Sequence, residues 1–207
     1  MIMTKEKIFD DLSYARKIAE DGADTPLLGG RIGLMWGILL VPTLLITGLV
    51  NMGSIDFPKQ SIGFVWMCFG IAGGIFTAVL GRSLEKKPGA HSLSNRIEQA
   101  TWVGTTLLMF SFAIATAYAV VASGKPYWLY DVILALAFGT YIVNYYVLAQ
   151  ITRQKSHYIP MTIALALTIY MMTNLGNPHI YVVAAIGVVF TIVIPSFLSL
   201  RNEPKNV

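Results

Sequence analysis

Six apolar stretches of membrane-spanning length occupy most of this chain, and they constrain its fold more than any other feature. They cover approximately residues 32–50, 61–81, 100–123, 127–150, 158–175 and 180–200. Each is close to the roughly 20 residues that an α-helix needs to cross a hydrocarbon core about 30 Å thick. Because lipid offers no partner to backbone N–H and C=O groups, such spans must be helical. The sequence predicts an all-α polytopic membrane protein with six transmembrane helices in three hairpins.

Charged residues are scarce inside these stretches, which bears directly on function. The chain is 55% hydrophobic and 13% charged, whereas about 25% of the residues in a soluble domain are charged. Five stretches contain no Asp, Glu, Lys or Arg, and the exception, Asp131, lies about one helical turn from a predicted outer end. We expect its carboxylate to reach water there. Proton-coupled carriers are disfavoured, because they usually place an acidic residue in mid-membrane.

The lysines and arginines fall almost entirely in alternate loops. Of the 15, all but Lys59 and Lys125 precede the first stretch, follow the second or the fourth, or end the chain. Because short cytoplasmic segments are enriched in Lys and Arg, we predict that the N- and C-termini are both cytoplasmic. The pI near 9.2 then reflects topology, and we expect no direct nucleic acid binding.

Residues 4–21 are predicted to form an amphipathic helix outside the membrane, with an apolar stripe at helical spacing. Residues 1–30 carry six acidic and four basic side chains, a net charge of −2. A helix that binds anionic lipid is normally rich in Lys and Arg, so a protein surface fits this helix better. The predicted partner-binding residues are Ile8, Phe9, Asp10, Asp11, Leu12 and Ala15.

The chain divides into three predicted segments: residues 1–30 as a cytoplasmic amphipathic helix and linker, residues 31–201 as the six-helix transmembrane domain, and residues 202–207 as a short cytoplasmic tail. Pro26-Leu27-Leu28-Gly29-Gly30-Arg31 is expected to break the helix before the first span. Pro42 and Pro195 lie inside spans and can kink them. Four tryptophans near the starts of stretches are expected to anchor helix ends at headgroup depth: Trp36, Trp66, Trp102 and Trp128.

Small and polar residues inside the stretches predict helix packing. Gly63, Gly70, Gly74 and Gly81 stay within about 40° of one another at 100° per residue, which makes one glycine stripe. Such a stripe lets another helix approach closely, and that helix can belong to the same chain or to a second copy. The third alternative is that the stripe lines a groove for a ligand. Asn144, the one amide well inside a span, is expected to hydrogen-bond across helices together with the nearby Thr140.

No pattern in the sequence indicates catalysis or a cofactor. His91 and His157 fall in predicted cytoplasmic loops and His179 on the far side, so the three histidines cannot share one metal ion. The lone Cys68 excludes a disulfide within the chain. There is no His-Glu-x-x-His pair, Gly-x-Ser-x-Gly elbow or phosphate-binding glycine loop. We predict a protein that is not an enzyme, without catalytic residues, metal or cofactor.

The acidic amphipathic start, the segment from Pro26 to Arg31 and the Trp36-Gly37 pair resemble uncharacterised small bacterial inner-membrane proteins with six helices. The resemblance covers roughly the first 40 residues. It implies a bacterial inner (plasma) membrane location and transfers no site, because those proteins have no assigned activity.

These features favour a membrane-tethered regulator or scaffold as the function. Its cytoplasmic face, chiefly helix 4–21 with the basic loop 82–99, is expected to dock a protein partner, and an acidic helix suits a basic partner such as a DNA-binding regulator. The helix can also fold back on its own basic loop. The open alternatives are a transporter or channel for a small neutral or lipid-like substrate, with Thr140, Asn144 and Tyr145 lining a path, and an accessory subunit or homo-oligomer that uses the glycine stripe.

Overall fold

The computed structural model describes Ser13, residues 26–58 and residues 61–201. The predicted helix 4–21, with its six partner-binding residues, therefore lies outside the described part apart from Ser13. Within the described ranges the regular elements are helices and no strand is present. The all-α prediction is confirmed for this part of the chain.

The described helices follow the apolar stretches closely. They are α1 (Gly30–Asn51), α2 (Ile62–Leu84), α3 (Leu93–Val121), α4 (Asp131–Thr152), α5 (Tyr158–Thr173), α6 (His179–Val188) and α7 (Ile194–Arg201). A π-helical turn, Val189–Val193, joins α6 to α7, so that the three form one continuous last span. Short 3-10 turns, Tyr127–Tyr130 and Lys155–His157, precede α4 and α5.

Five of the six helices are long and apolar enough to cross a membrane: α1, α2, α3, α4 with its preceding turn, and the last span His179–Arg201. The helix α5 has only 16 residues, which is about 24 Å and less than the hydrocarbon thickness. It ends at Thr173, before the predicted Leu175, because Asn174 leaves helical geometry and Gly176 adopts a positive φ of 85°. The chain is thus a multi-pass helical protein with five full-length spans.

A central group of helices carries the core, and α2 and α3 lie outside it. The most extensive packing is between α4 and α5, and α1 packs on the last span. In the most apolar 18-residue window of each helix, the buried share of residues is 50% for α4 with its preceding turn and 50% for the last span. The corresponding share is 11% for α2 and 6% for α3. The helix α2 packs mainly on α1, and α3 packs mainly on α4. These two outer helices therefore leave most of their apolar surface for lipid.

The glycine stripe of α2 does not face another described helix. A Cβ atom built at each of Gly63, Gly70, Gly74 and Gly81 meets nothing within 4 Å. The alternative of close packing within the chain therefore finds no partner among the described residues. Close packing occurs instead at Gly73, where a Cβ would lie 2.2 Å from the Trp36 ring. Both faces of α2 are apolar, so periodicity alone did not identify the packed glycine.

Three of the tryptophans contact neighbouring helices, which differs from a purely interfacial role. The Trp36 indole donates to Thr77 Oγ1 on α2 at 3.0 Å. From the other side, the Trp66 indole donates to Thr47 Oγ1 on α1 at 3.1 Å. Trp102 packs on the ring of Tyr141, with 5.7 Å between centroids, while Trp128 is exposed. The two indole bonds join α1 to α2 in opposite directions.

Candidate docking surface at the entry to the first helix

The segment that leads into α1 is held against the start of α3. The Leu28 N–H donates to Asn95 Oδ1 at 2.8 Å, and Asn95 Nδ2 donates to the Pro26 carbonyl at 3.1 Å. Asn95 is buried, and Ser92 caps the same helix by accepting from the Asn95 N–H. Two backbone groups of the linker are thereby satisfied by one side chain, which fixes the path of the chain as it enters α1.

Glu98, one turn further along α3, holds the next residue of the linker. Its Oε2 accepts from the Gly29 N–H at 3.1 Å. The Glu98 carboxyl group lies where a Cβ at Gly29 would be, so a larger residue at this position would displace that carboxyl group. Since α3 has 29 residues, about 43 Å, its first turns extend beyond the apolar stretch that begins at residue 100. Glu98 belongs to these outer turns.

The Glu98 carboxylate is unusual because it is 8% exposed and bonded to a neutral donor. Burial disfavours the charged form of this carboxyl group, while the bond from the Gly29 N–H favours it. The linker is therefore held by a buried carboxyl group of α3.

The last span clamps the same segment from its other side. Ser199 Oγ donates to the Leu27 carbonyl at 3.3 Å. A Cβ at Gly30 would lie 2.8 Å from the Ser196 carbonyl oxygen, so α1 and α7 are in close contact here. We call this end of the bundle, where α1 begins and α7 ends, the entry end. Residues 26–30 are thereby held in place at the entry end.

Exposed basic side chains lie in or beside the connections that follow α2 and α4. The connection between α2 and α3 is tied to the linker, since Asn95 Nδ2 also donates to the Gly89 carbonyl at 3.0 Å. This part of the chain exposes Arg82, Lys86 and Arg96, and the connection between α4 and α5 exposes Arg153 and Lys155. The connection between α2 and α3, with its basic side chains, is thus bonded to the linker at the entry end.

The predicted site residues have different outcomes. The partner-binding set Ile8, Phe9, Asp10, Asp11, Leu12 and Ala15 lies outside the described residues. Asn144 is buried and donates from Nδ2 to Thr105 Oγ1 of α3 at 2.9 Å, so that it joins α4 to α3. Thr140 does not share this bond, because its hydroxyl donates to the Ala137 carbonyl of its own helix.

The expectation that Asp131 reaches water is wrong. Its side chain is 5% exposed. Its Oδ2 accepts from the Gly176 N–H at 2.8 Å, and its Oδ1 accepts from the Tyr181 hydroxyl at 2.6 Å. Asp131 thus connects the start of α4 to the loop before the last span and to the last span itself. Its two donors lie 45 and 50 residues away in sequence.

Asn95 and Glu98 are not among the predicted site residues, because both precede an apolar stretch and resemble ordinary loop residues in the sequence. The available signal was the combination of an amide and a carboxylate three residues apart at a helix start, opposite a linker with two adjacent glycines. Among the described residues, no group of three or more His, Cys, Asp or Glu side chains is placed to hold a metal ion.

Comparison with protein families, with curated proteins and with solved structures gives no match to this chain.

Proposed function

We propose that this protein is a non-enzymatic, membrane-tethered regulator or scaffold that docks a cytoplasmic protein partner at its entry end. The observation that carries the proposal is the clamp on the linker by Asn95 and Glu98. A linker that only connected residues 1–25 to the membrane domain would not need these hydrogen bonds. A clamped linker fixes where residues 1–25 join the membrane domain, and the connection bonded to that linker exposes basic side chains. An acidic amphipathic segment held in this way is suited to binding a basic partner surface.

We further propose that all six helices cross the membrane as three hairpins, with both termini in the cytoplasm of a bacterial cell and the domain in its inner membrane. The distribution of Lys and Arg supports this orientation. The bond between Ser199 and Leu27, which joins the two ends of the membrane domain, is consistent with termini on the same side.

The orientation has a direct test with single cysteines in a Cys68→Ala background. Cysteines at His91 and Arg153 are expected to be protected from a membrane-impermeant thiol reagent in intact cells, whereas cysteines at Ser54 and Asn177 react. Labelling after cell lysis, when all four sites should react, serves as the control. Protection of Ser54 and Asn177 with reaction of the other two would reverse the proposed topology.

The docking proposal predicts that anchoring and partner binding are separable. Deletion of residues 1–24 removes no membrane span and leaves Asn95 and Glu98 with their linker bonds, so an inserted, folded domain should remain. Co-purification of the partner from cell membranes should be lost. Leu12→Asp in the full-length chain is expected to give the same loss, because docking would bury an unpaired charge in the apolar stripe.

A charge-reversal pair separates a basic partner from an apolar one. Asp10→Lys with Asp11→Lys should weaken docking only if the partner surface is basic, and the loss should become smaller as salt rises. The matched control is Asp56→Lys, which reverses an exposed charge in the connection between α1 and α2. Equal recovery of every interactor from the truncated and full-length proteins would contradict the docking role, and the transporter alternative would then lead.

A specific observation favours the accessory-subunit alternative as a second candidate. The glycine stripe of α2 is open to its surroundings within the described chain, which suits contact with a helix of another protein. The residues suggested to line a transport path are engaged differently, since Asn144 and Tyr145 are buried and bonded to neighbouring helices.

A further inference from the structure

The last span has a gap in its backbone hydrogen bonding that another helix fills. Pro195 has no N–H, so the Thr191 carbonyl four residues earlier loses its α-helical donor. The π-helical turn Val189–Val193 lies directly before this point, and the Ile194 N–H reaches back five residues to the Val189 carbonyl. The Tyr145 hydroxyl of α4 donates to the Thr191 carbonyl. A side chain from α4 thus completes the bend in the last span.

Tyr145 is held in position by two neighbouring rings. It is 5% exposed. Trp102 of α3 meets its ring edge to face, with 6.2 Å between centroids and an interplanar angle of 83°. On its other side the His157 imidazole stacks on it, with 6.2 Å between centroids and an angle of 23°. His157 belongs to the turn between α4 and α5, so this turn contacts the residue that completes the bend.

His157 occupies a site that suits only a neutral ring. Its Nε2 is buried and has no hydrogen-bond partner among the described residues. Burial lowers the pKa of the imidazole from its ordinary value of 6.5. His157 also occupies the N-cap position of α5, where the positive end of the helix dipole disfavours a cation.

The ionisable groups around His157 come from each helix packed against its turn and from the turn itself. They are Tyr145 on α4, Tyr158 at the start of α5, Arg153 and Lys155 in the same connection, and Glu98 on α3, which acts electrostatically on Tyr145. Arg153 and Lys155 are both exposed to solvent. The one carboxylate in this set is bonded to the Gly29 N–H instead of the imidazole.

We propose that His157 is a proton-responsive latch on the bend of the last span. The neutral imidazole supports Tyr145, and Tyr145 supplies the donor that Thr191 lacks. A proton taken from water turns the ring into a cation with a buried N–H and no acceptor, so the ring leaves its site for water. Tyr145 then loses one of its two ring supports, the Thr191 carbonyl loses its donor, and the bend changes.

The test measures the bend in the full-length chain with a pair of spin labels in a Cys68→Ala background. Labels replace Leu107 on α3 and Leu198 on α7, both exposed. Seven residues, about 10 Å, separate Leu198 from Thr191, so a 20° change in the bend moves the label by about 3–4 Å. Distance distributions are recorded by pulsed electron paramagnetic resonance in mild detergent at pH 7.5 and pH 5.

We expect the wild-type distribution to shift between the two pH values and the His157→Gln variant to remain at one distance. Two matched controls keep the shift: His179→Gln, which removes an exposed histidine of the same span, and Glu98→Gln, which removes the nearest carboxyl group in the set above. Tyr145→Phe keeps the stacked ring without the hydroxyl and should show the changed distance at pH 7.5 already.

Stability gives a second readout that does not depend on the labels. A histidine whose pKa is lowered on folding contributes stability that is fully present above pH 6.5 and is lost as the pH falls below it. Between pH 7.5 and pH 5 the wild-type Tm should therefore fall by about 2–4 °C more than that of His157→Gln. The latch is refuted if the wild-type distance does not change with pH, if His157→Gln shifts equally, or if the shift disappears in Glu98→Gln. If Tyr145→Phe does not fold, the latch is tested by comparing the wild type with His157→Gln.

Discussion

Asp131→Ala is expected to lower the free energy of unfolding by about 2–4 kcal/mol, because it leaves two donors without their acceptor and one of these donors is buried. These donors are the Gly176 N–H and the Tyr181 hydroxyl. The Tyr181 hydroxyl cannot turn to water easily, since Tyr181 is itself buried, whereas Gly176 is exposed and its N–H can bond water. The measurement is an unfolding titration with a denaturing detergent, starting from mild-detergent micelles and followed by tryptophan fluorescence.

Three further variants show whether the loss comes from these bonds. Asp56→Ala removes an exposed carboxylate in the loop after α1 and should change stability by less than about 0.5 kcal/mol. Asp131→Asn keeps the shape and one acceptor, so its loss should be smaller than that of alanine. In a Tyr181→Phe background, Asp131→Ala should cost less than in the wild type, because one donor is already absent. A fully additive double variant would show that the two side chains do not act together.

Prediction from this sequence succeeds for the positions of the helices and fails for the burial of Asp131. Hydropathy located the helices well, since α3 includes residues 100–121 of the apolar stretch 100–123 and α2 includes residues 62–81 of the stretch 61–81. Local sequence also indicated a disturbance near Pro195. The burial of Asp131 depends on donors 45 and 50 residues away. No pattern within one stretch reports such a contact.

The entry end shows the same limit for the candidate site. Charge counting predicted a basic surface beside an acidic N-terminal segment, but it gave no reason to expect a clamp. Asn95 and Glu98 flank the exposed Arg96 in sequence. Sequence alone does not show which of these three side chains is buried. Their buried positions depend on hydrogen bonds to linker residues that lie 67 and 69 residues away in sequence.

Among the described residues the glycine stripe has no packing partner, and the reason that the sequence did not reveal this is particular to membranes. In water, the apolar side of a helix indicates the direction of the core. In lipid, the face toward neighbours and the face toward lipid are both apolar, and small residues can mark contact with another chain as well as with the same chain. Gly73 lies beside the stripe in sequence, yet it carries the close contact, because Trp36 of α1 reaches it.

Gly73→Leu is therefore expected to lower the free energy of unfolding of the monomer by about 3 kcal/mol. The new side chain would occupy the position of the Trp36 ring, which lies 2.2 Å from a Cβ at this site. That ring cannot simply swing aside, because its indole N–H is bonded to Thr77 and its face meets Phe69 at 5.2 Å between centroids. Overpacking and the loss of that bond both contribute to the expected loss.

Gly70→Leu and Gly74→Leu are the matched comparisons, since they place the same side chain on the same helix within one turn. No described atom lies within 4 Å of a Cβ at either site, so the unfolding titration of the monomer should be unchanged within about 0.5 kcal/mol. Their native mass in mild detergent is measured in parallel. A loss of higher-mass species in these two variants, with monomer stability intact, would assign the stripe to contact between chains. Equal destabilisation by all three substitutions would instead contradict the packing of α2 on α1 through Gly73.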